Sequence, residues 1–265
     1  MKYFNLRNRT ILGALVRTDF KIRYQGSFLG YAWSLLRPLL VFAVLYVVFV
    51  YIFPLGKGVE HFPTYLLTGI IFWNYFVEST VMGLTSVVAR GDLLRKVNLP
   101  RYLLVFSSAL SALVNFGFGF IVLTIFALLD GIMPNLGWLL IVPIVCELAL
   151  FSIGISLLLS SLYVRYRDVS YIWEVFIQMG FYASAIIFPL SSVAVSMQKW
   201  FFINPIVQII QDARYVLATN TSATIWSTQG VDWLIKLAPF LIITIIFILG
   251  VFTFRSRSKT FAEEI

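Results

Sequence analysis

Charge is scarce in this chain, and so are the residues most enzymes rely on. Only 12% of its 265 residues are Asp, Glu, Lys or Arg, about half of what a soluble domain carries. There is one histidine, His61, and one cysteine, Cys146. A lone histidine excludes a His-rich metal site. A lone cysteine excludes a disulfide within one chain. The chain also lacks a G-x-x-x-x-G-K-S/T phosphate loop: Gly56-Lys57 is followed by Gly58 and has no glycine upstream at the required spacing, so ATP cannot be cradled here in that manner. A G-x-S-x-G nucleophile elbow is missing too. The first 25 residues hold seven charges and no uninterrupted apolar stretch, which argues against a cleavable signal peptide.

What the chain has instead is apolar bulk in long blocks. Hydrophobic residues make up 60%. Bilayer hydrocarbon is about 30 Å thick and needs roughly 20 apolar residues per helix. Six blocks meet that need, at about 33–53, 65–87, 102–129, 136–163, 171–190 and 234–254. Together they predict an all-α integral membrane protein with six transmembrane helices. Ahead of them, Leu12, Leu15, Val16 and Phe20 share one helical face while Arg17 and Lys21 share another, the pattern of an amphipathic helix in the headgroup layer. Between blocks five and six lie Trp200, Phe201, Phe202, Ile203, Ile206, Val207, Ile209 and Ile210. These runs are too short to span. They predict short re-entrant or interfacial helices, tolerated only when buried against protein or lining a cavity.

Net charge is +8, and its distribution sets the orientation. Lys and Arg number seven before and including Arg37, four in residues 90–101, two in 165–168 and three after Phe254. The opposite side has Lys57, Lys199, Arg214 and Lys236. Sixteen against four places both termini in the cytoplasm. Positive-inside bias accounts for the basic balance, so no nucleic-acid partner is expected.

Polar residues inside the blocks are few: Asn74, Glu78, Asn115, Glu147, Glu174 and Gln178. Each reads first as an interhelical hydrogen-bonding group. Ser152, Ser156 and Ser160 share a face with Gly154 nearby, a close-packing signal. Aromatic residues reach 17%. Some, such as Trp33 and Trp233, suit interface belts. Others lie deep in the blocks: Phe72, Trp73, Tyr75 and Phe76, then Phe116, Phe118 and Phe120, then Phe176, Phe181 and Tyr182. Aromatic faces stack on apolar faces of ligands, and Tyr and Trp add hydrogen bonds. Phe72, Trp73, Tyr75, Phe76, Phe181 and Tyr182 are therefore candidate channel-lining residues for a sliding glycan; lipid-facing filler is the alternative reading.

Several stretches resemble one family. Arg17-Thr18-Asp19-Phe20-Lys21-Ile22-Arg23-Tyr24-Gln25-Gly26-Ser27-Phe28-Leu29-Gly30, followed by Trp33 and Pro38, resembles the start of the polysaccharide-exporting ABC-2 type permeases of O-antigen, capsule and teichoic acid. Leu94-Arg95-Lys96-Val97-Asn98-Leu99-Pro100-Arg101 resembles their first cytoplasmic loop, Tyr166-Arg167-Asp168-Val169 the short loop before span five, and Ile187-Phe188-Pro189-Leu190 with Asn204-Pro205 the outer-gate region. The chain departs from many relatives at Tyr182-Ala183-Ser184-Ala185-Ile186, where they carry Ser-Pro.

The resemblance implies a single ABC-2 type transmembrane domain over residues 1–265, with an interface region at 1–31, a six-span bundle at 32–254 and a cytoplasmic tail at 255–265. It implies a homodimer in a bacterial cytoplasmic membrane, two copies of a separate ABC ATPase and a lipid-linked polysaccharide as cargo. No cofactor belongs to this chain; ATP and magnesium would sit on the ATPase. Leu94, Arg95, Lys96, Val97, Pro100, Arg101, Arg17 and Arg23 become candidates for ATPase coupling, and Pro189, Asn204 and Pro205 for the outer gate. Other readings are an ABC-2 permease for a small amphipathic drug or lipid, and a membrane-embedded enzyme of lipid-linked sugar metabolism. The enzyme would need a convergent acid–base or metal site, and the scattered carboxylates do not supply one.

Overall fold

The computed structural model describes residues 6–24, 30, 32–52, 58–96, 99–228 and 230–264. Every regular element among them is helical. Helix α1 spans Leu6–Tyr24 and α2 spans Ala32–Tyr46, running on as a wider π turn over Val47–Ile52. Then come α3 (Phe62–Thr85), the short α4 (Gly91–Lys96), α5 (Tyr102–Leu129), α6 (Ile141–Tyr163, led in by a 3-10 turn at Leu136–Leu140) and α7 (Val169–Ala183). Two short helices follow, α8 (Val195–Phe201) and α9 (Pro205–Leu217), before the long α10 (Trp233–Arg257) and a final turn, α11 (Phe261–Glu264).

Three stretches among the described residues are long and apolar enough to cross a membrane: Tyr102–Leu129, Leu136–Tyr163 and Trp233–Arg257. They carry exposed Ile121, Ile125, Leu139, Val142, Ile245, Ile248 and Phe252, an apolar surface suited to lipid. Helix α3 is long enough but less apolar, because Thr64, Thr68, Asn74, Glu78, Ser79 and Thr80 interrupt it. It can hold those groups because it is the most enclosed of the long helices. Seventeen of its 24 residues are buried, against α5, α6, α7 and α9.

The fifth block differs from its expected extent. The apolar run to 190 does not stay helical: α7 has 15 residues and ends at Ala183. At 1.5 Å per residue that is about 22 Å, short of the bilayer core. Ser184 leaves the helical region, Ala185 takes φ 49°, and Pro189 is extended. The carbonyls of Ala185 and Ile186 are both taken by Arg214, which holds this chain reversal in place.

Small residues set the closest approaches. A Cβ on Gly154 would meet the Phe247 backbone at 2.9 Å, and one on Gly83 would meet Ser156 at 2.5 Å. Ser152, Ser156 and Ser160 are fully buried, and Ser156 Oγ donates to the Ser79 carbonyl at 3.2 Å. The close-packing signal in block four thus corresponds to the α6 contacts with α3 and α10. At the other end of the molecule, Leu15 of α1 is buried with Leu99, Leu103 and Leu104, while Arg17 and Lys21 stay exposed, as the amphipathic pattern predicts.

Candidate functional site

A cavity of about 910 Å³ opens between α2, α3, α5 and α7. Its walls follow helical periodicity. From α3 come Asn74, Glu78, Val81, Met82 and Thr85, and from α7 come Ser170, Trp173, Glu174, Ile177 and Gln178. Each set recurs at three or four and seven or eight residues from its first member, which aligns side chains on one face. The start of α2 adds Trp33, Arg37 and Pro38, and α5 adds Asn115. Five of the six polar residues in the apolar blocks therefore converge on one space. Read along the sequence they are separate interhelical groups, and Arg37 is not among them; the shared stripe positions are the signal that could have joined them.

The cavity's polar atoms are positioned by the surrounding packing. Asn115 Nδ2 donates to Glu78 Oε1, leaving Asn115 Oδ1 buried with no partner among the described residues. Trp173 Nε1 donates to Thr80 Oγ1 at 3.2 Å, which fixes the indole at the cavity edge. Glu174, Gln178 and Arg37 are exposed to the open side. The result is two carboxylates, three amides, one guanidinium and two indoles around one space. Carboxylates accept hydrogen bonds, amides both donate and accept, and guanidinium donates. Hydroxyl-rich ligands require that mixture, and indoles add stacking faces.

The six aromatic candidates divide sharply. Phe72, Trp73, Tyr75 and Phe76 are each no more than 6% exposed. Their faces are occupied inside the chain: Phe72 and Tyr75 meet Phe116 edge-on, Phe76 stacks on Phe151 at 5.6 Å, and Trp73 meets Phe181. Rings so enclosed cannot also stack on a passing ligand, so the expectation that these four line a channel is replaced by a packing role. Phe181 is half-buried beside Trp73. Only Tyr182 is open, at 68% exposure.

The outer-gate candidates lie in the chain reversal after α7. Pro189 and Pro205 are buried. Asn204 caps α9 by accepting from Ile206 N at 3.0 Å and donates from Nδ2 to Ser184 Oγ at 3.2 Å. Ten of the 13 residues of α9 are buried. Its anchor is Arg214, which is wholly buried. The guanidinium donates to the carbonyls of Tyr65 (3.0 Å), Ala185 (2.8 Å) and Ile186 (2.7 Å) and lies 3.7 Å from the centre of the Tyr65 ring. Arg214 is therefore not an outer surface charge, contrary to the orientation count. It is an internal clamp between α9, α3 and the reversal, leaving three basic residues on that side. A buried arginine needs several acceptors, and no sequence spacing advertises backbone carbonyls.

At the opposite end, Arg95 and Lys96 of α4 are exposed, as is Arg17 of α1. Leu94 is half-buried instead, packed against the clusters that contain Leu15, Leu99 and Leu103 and that contain Phe254, so its first duty is to hold α4 to this chain. Pro100 is half-buried, and Arg101 precedes α5 and borders a second cavity beneath α1. Val97 and the Arg23 side chain lie outside the described residues. An unforeseen link ties this end together. Arg90 pairs with Asp19 of α1 and donates to Ser107 Oγ at 2.9 Å, and Ser111 Oγ donates to the same aspartate at 3.2 Å. Burial pushes the Arg90 pKa down, and these acceptors keep the charged form satisfied.

Residues 10–218 match the profile of the ABC-2 type transporter family. Over 261 residues, 97% of this chain and 96% of the relative, the sequence is 26% identical to a Myxococcus xanthus protein called O-antigen export system permease protein RfbA. A Klebsiella pneumoniae protein of the same name is 26% identical over 212 residues, covering 80% of this chain and 81% of the relative. The Escherichia coli polysialic acid transport protein KpsM is 22% identical over 248 residues, 93% of each chain.

Proposed function

This chain belongs to the ABC-2 type transporter family, and on that premise we propose that it is the membrane permease of an ATP-driven exporter of lipid-linked polysaccharide. The single observation that carries the cargo class is the 910 Å³ cavity, whose Arg37, Asn74, Glu78, Glu174 and Gln178 meet two indoles. A dry, apolar pocket would suit a drug or lipid; this one offers hydrogen bonds of both senses with stacking faces. The relatives named for O-antigen export and polysialic acid transport support the same class.

In this reading six segments span: α2 with its π turn, α3, α5, α6, α7 and α10. The short α7 crosses the inner part, and the reversal with α8 and α9 fills the outer part as a plug. Both termini face the cytoplasm. Two copies pair so that their α2 and α7 faces enclose a path, because α7 has no buried residue within one chain. Two ABC ATPases, carrying ATP and magnesium, dock against the exposed Arg17, Arg95 and Lys96, and the Asp19–Arg90 link passes their motion to α5.

The experiment is reconstitution of the permease with its ATPase in vesicles. ATP hydrolysis should rise when a lipid-linked glycan is added, and glycan should appear across the membrane. Stimulation by small amphipathic compounds and not by glycan would overturn the cargo assignment. Topology is checked with single cysteines in a Cys146→Ser background: at Asn220 an impermeant reagent should label intact cells, and at Lys96 it should not. Asn220 is chosen because it is exposed.

A further inference from the structure

A second cavity, of about 340 Å³, lies at the α1 end of the bundle between α1, the start of α5, α6 and the last turns of α10. Its inner wall is apolar, built from Leu12, Leu103, Phe106 and Phe254. Its border carries Arg9, Arg101 and Arg255, one guanidinium from each of three segments distant in sequence. None of the described residues lining it is acidic. A greasy slot with an arginine rim asks for a molecule with an apolar tail and an anionic head. A sugar would find almost nothing to bond along the slot. Guanidinium forks match phosphate oxygens in pairs, and basic pockets between helices at the cytoplasmic face suit acidic lipid head groups.

We propose that this cavity binds one anionic phospholipid of the cytoplasmic leaflet, its phosphate held by Arg9, Arg101 and Arg255 and the upper part of an acyl chain in the slot. The lipid cross-braces α1, the end of the basic loop and α10. It stands at the same end as the Asp19–Arg90 link, so it stiffens the part of the molecule that receives the ATPases. The proposal rests on the membrane orientation given above but not on the identity of the cargo, and its test does not require export.

The test is native mass spectrometry of the purified full-length protein with palmitoyl-oleoyl phosphatidylglycerol or phosphatidylcholine added. The wild type should retain phosphatidylglycerol at least about fivefold better than phosphatidylcholine, an advantage that shrinks as salt screens the arginines. Arg9→Gln, Arg101→Gln and Arg255→Gln together should erase the preference, and the matching triple lysine variant should keep most of it. The lysine variant and the salt titration of the wild type decide the matter even if the glutamine variant folds poorly. Equal retention of both lipids by the wild type would overturn the proposal, as would a preference indifferent to salt or undiminished in the glutamine variant. Tighter retention of a polyprenyl diphosphate than of phosphatidylglycerol would instead assign the slot to cargo and overturn it equally.

Discussion

Helices α3 and α7 have similar sequence character and opposite surroundings. Both are rich in aromatic residues, and each carries carboxamide and carboxylate groups. Yet α3 buries 17 of its 24 residues while α7 buries none of its 15. Helix α7 meets α3 through Trp173 and Phe181, and a Cβ on Gly180 would strike the Trp73 ring at 2.8 Å. An aromatic ring deep in an apolar block is therefore ambiguous: neighbours decide whether it is mortar or a docking face. The two helices share one surface, the polar stripe on which Asn74 and Glu78 meet Glu174 and Gln178. Structural and functional roles are divided around the circumference of α3 and left almost undivided on α7.

The largest expected effects test the structural side. Phe76→Ala removes a ring stacked on Phe151 and in edge contact with Trp173. Truncating such a core ring costs about 3–5 kcal/mol, to be read as a fall in thermal midpoint of the detergent-purified protein. The matching change on α7, Phe176→Ala, removes a ring that is 55% exposed and should cost under about 1 kcal/mol. Equal losses would erase the contrast between the helices. Next comes the clamp at the N-terminal end of α3. Arg214→Leu strands three buried carbonyls, each costing about 1–3 kcal/mol when unpaired, and should expose the reversal at 184–194 to protease. Arg214→Lys should not restore it, because one ammonium cannot reproduce a planar fork. Protease resistance in Arg214→Leu would show that α9 is held by apolar packing alone.

Much of this is legible in the sequence. The boundaries of block three agree with α5 residue for residue, because its 28 residues are uncharged and mostly apolar and are bounded by Pro100 upstream and by Asp130 and Gly131 downstream. Block five overshoots α7 by seven residues, since hydropathy cannot see that Ala185 turns left-handed and that a remote arginine takes its carbonyl. The polar cavity is half legible: its stripes obey the 3.6 period, but nothing local says that α2, α3, α5 and α7 face the same space. The aromatic candidates on α3 fail for the same reason. Positions 72, 73, 75 and 76 fan over about 160° of a helix, one broad face, so the period alone makes them look like a common wall and gives no sign that Phe116, Phe151 and Phe181 pack over it.

The next smaller effect concerns the shared stripe. Glu174→Gln keeps size and replaces an exposed carboxylate at the cavity mouth. Losing one charge-assisted hydrogen bond to cargo is worth about 1.5–3 kcal/mol, so glycan-stimulated ATP hydrolysis should fall about tenfold or more at limiting cargo, with the thermal midpoint unchanged. Glu78→Gln should lower both, because Glu78 also accepts from Asn115 within the packed interior. If the two variants behave alike, the stripe is not divided into an open side and a packed side.

The smallest effect, and the one that best separates a docking face from lipid-facing filler, comes from single rings on α7. Phe176 and Tyr182 are exposed at 55% and 68%. In a path formed between two copies they would offer weak, interchangeable stacking contacts, at the low end of about 0.5–1.5 kcal/mol each. A polymer that slides must not be held tightly at any one point. Phe176→Leu or Tyr182→Leu alone should therefore slow export by less than about threefold, since other contacts persist. Leucine keeps apolar bulk, so insertion and folding stay intact and no cavity complicates the reading. The double variant should slow export by roughly the product of the two single effects, as independent contacts add in free energy. The same pair of changes on α3, Trp73→Leu with Tyr75→Leu, should act differently: it lowers stability first, because those rings are packed, and reduces export only through loss of folded protein. Export per folded molecule, measured for both pairs, is the deciding quantity. A graded fall for the α7 pair and a flat value for the α3 pair place the cargo against α7; a flat value for both would assign the α7 rings to lipid.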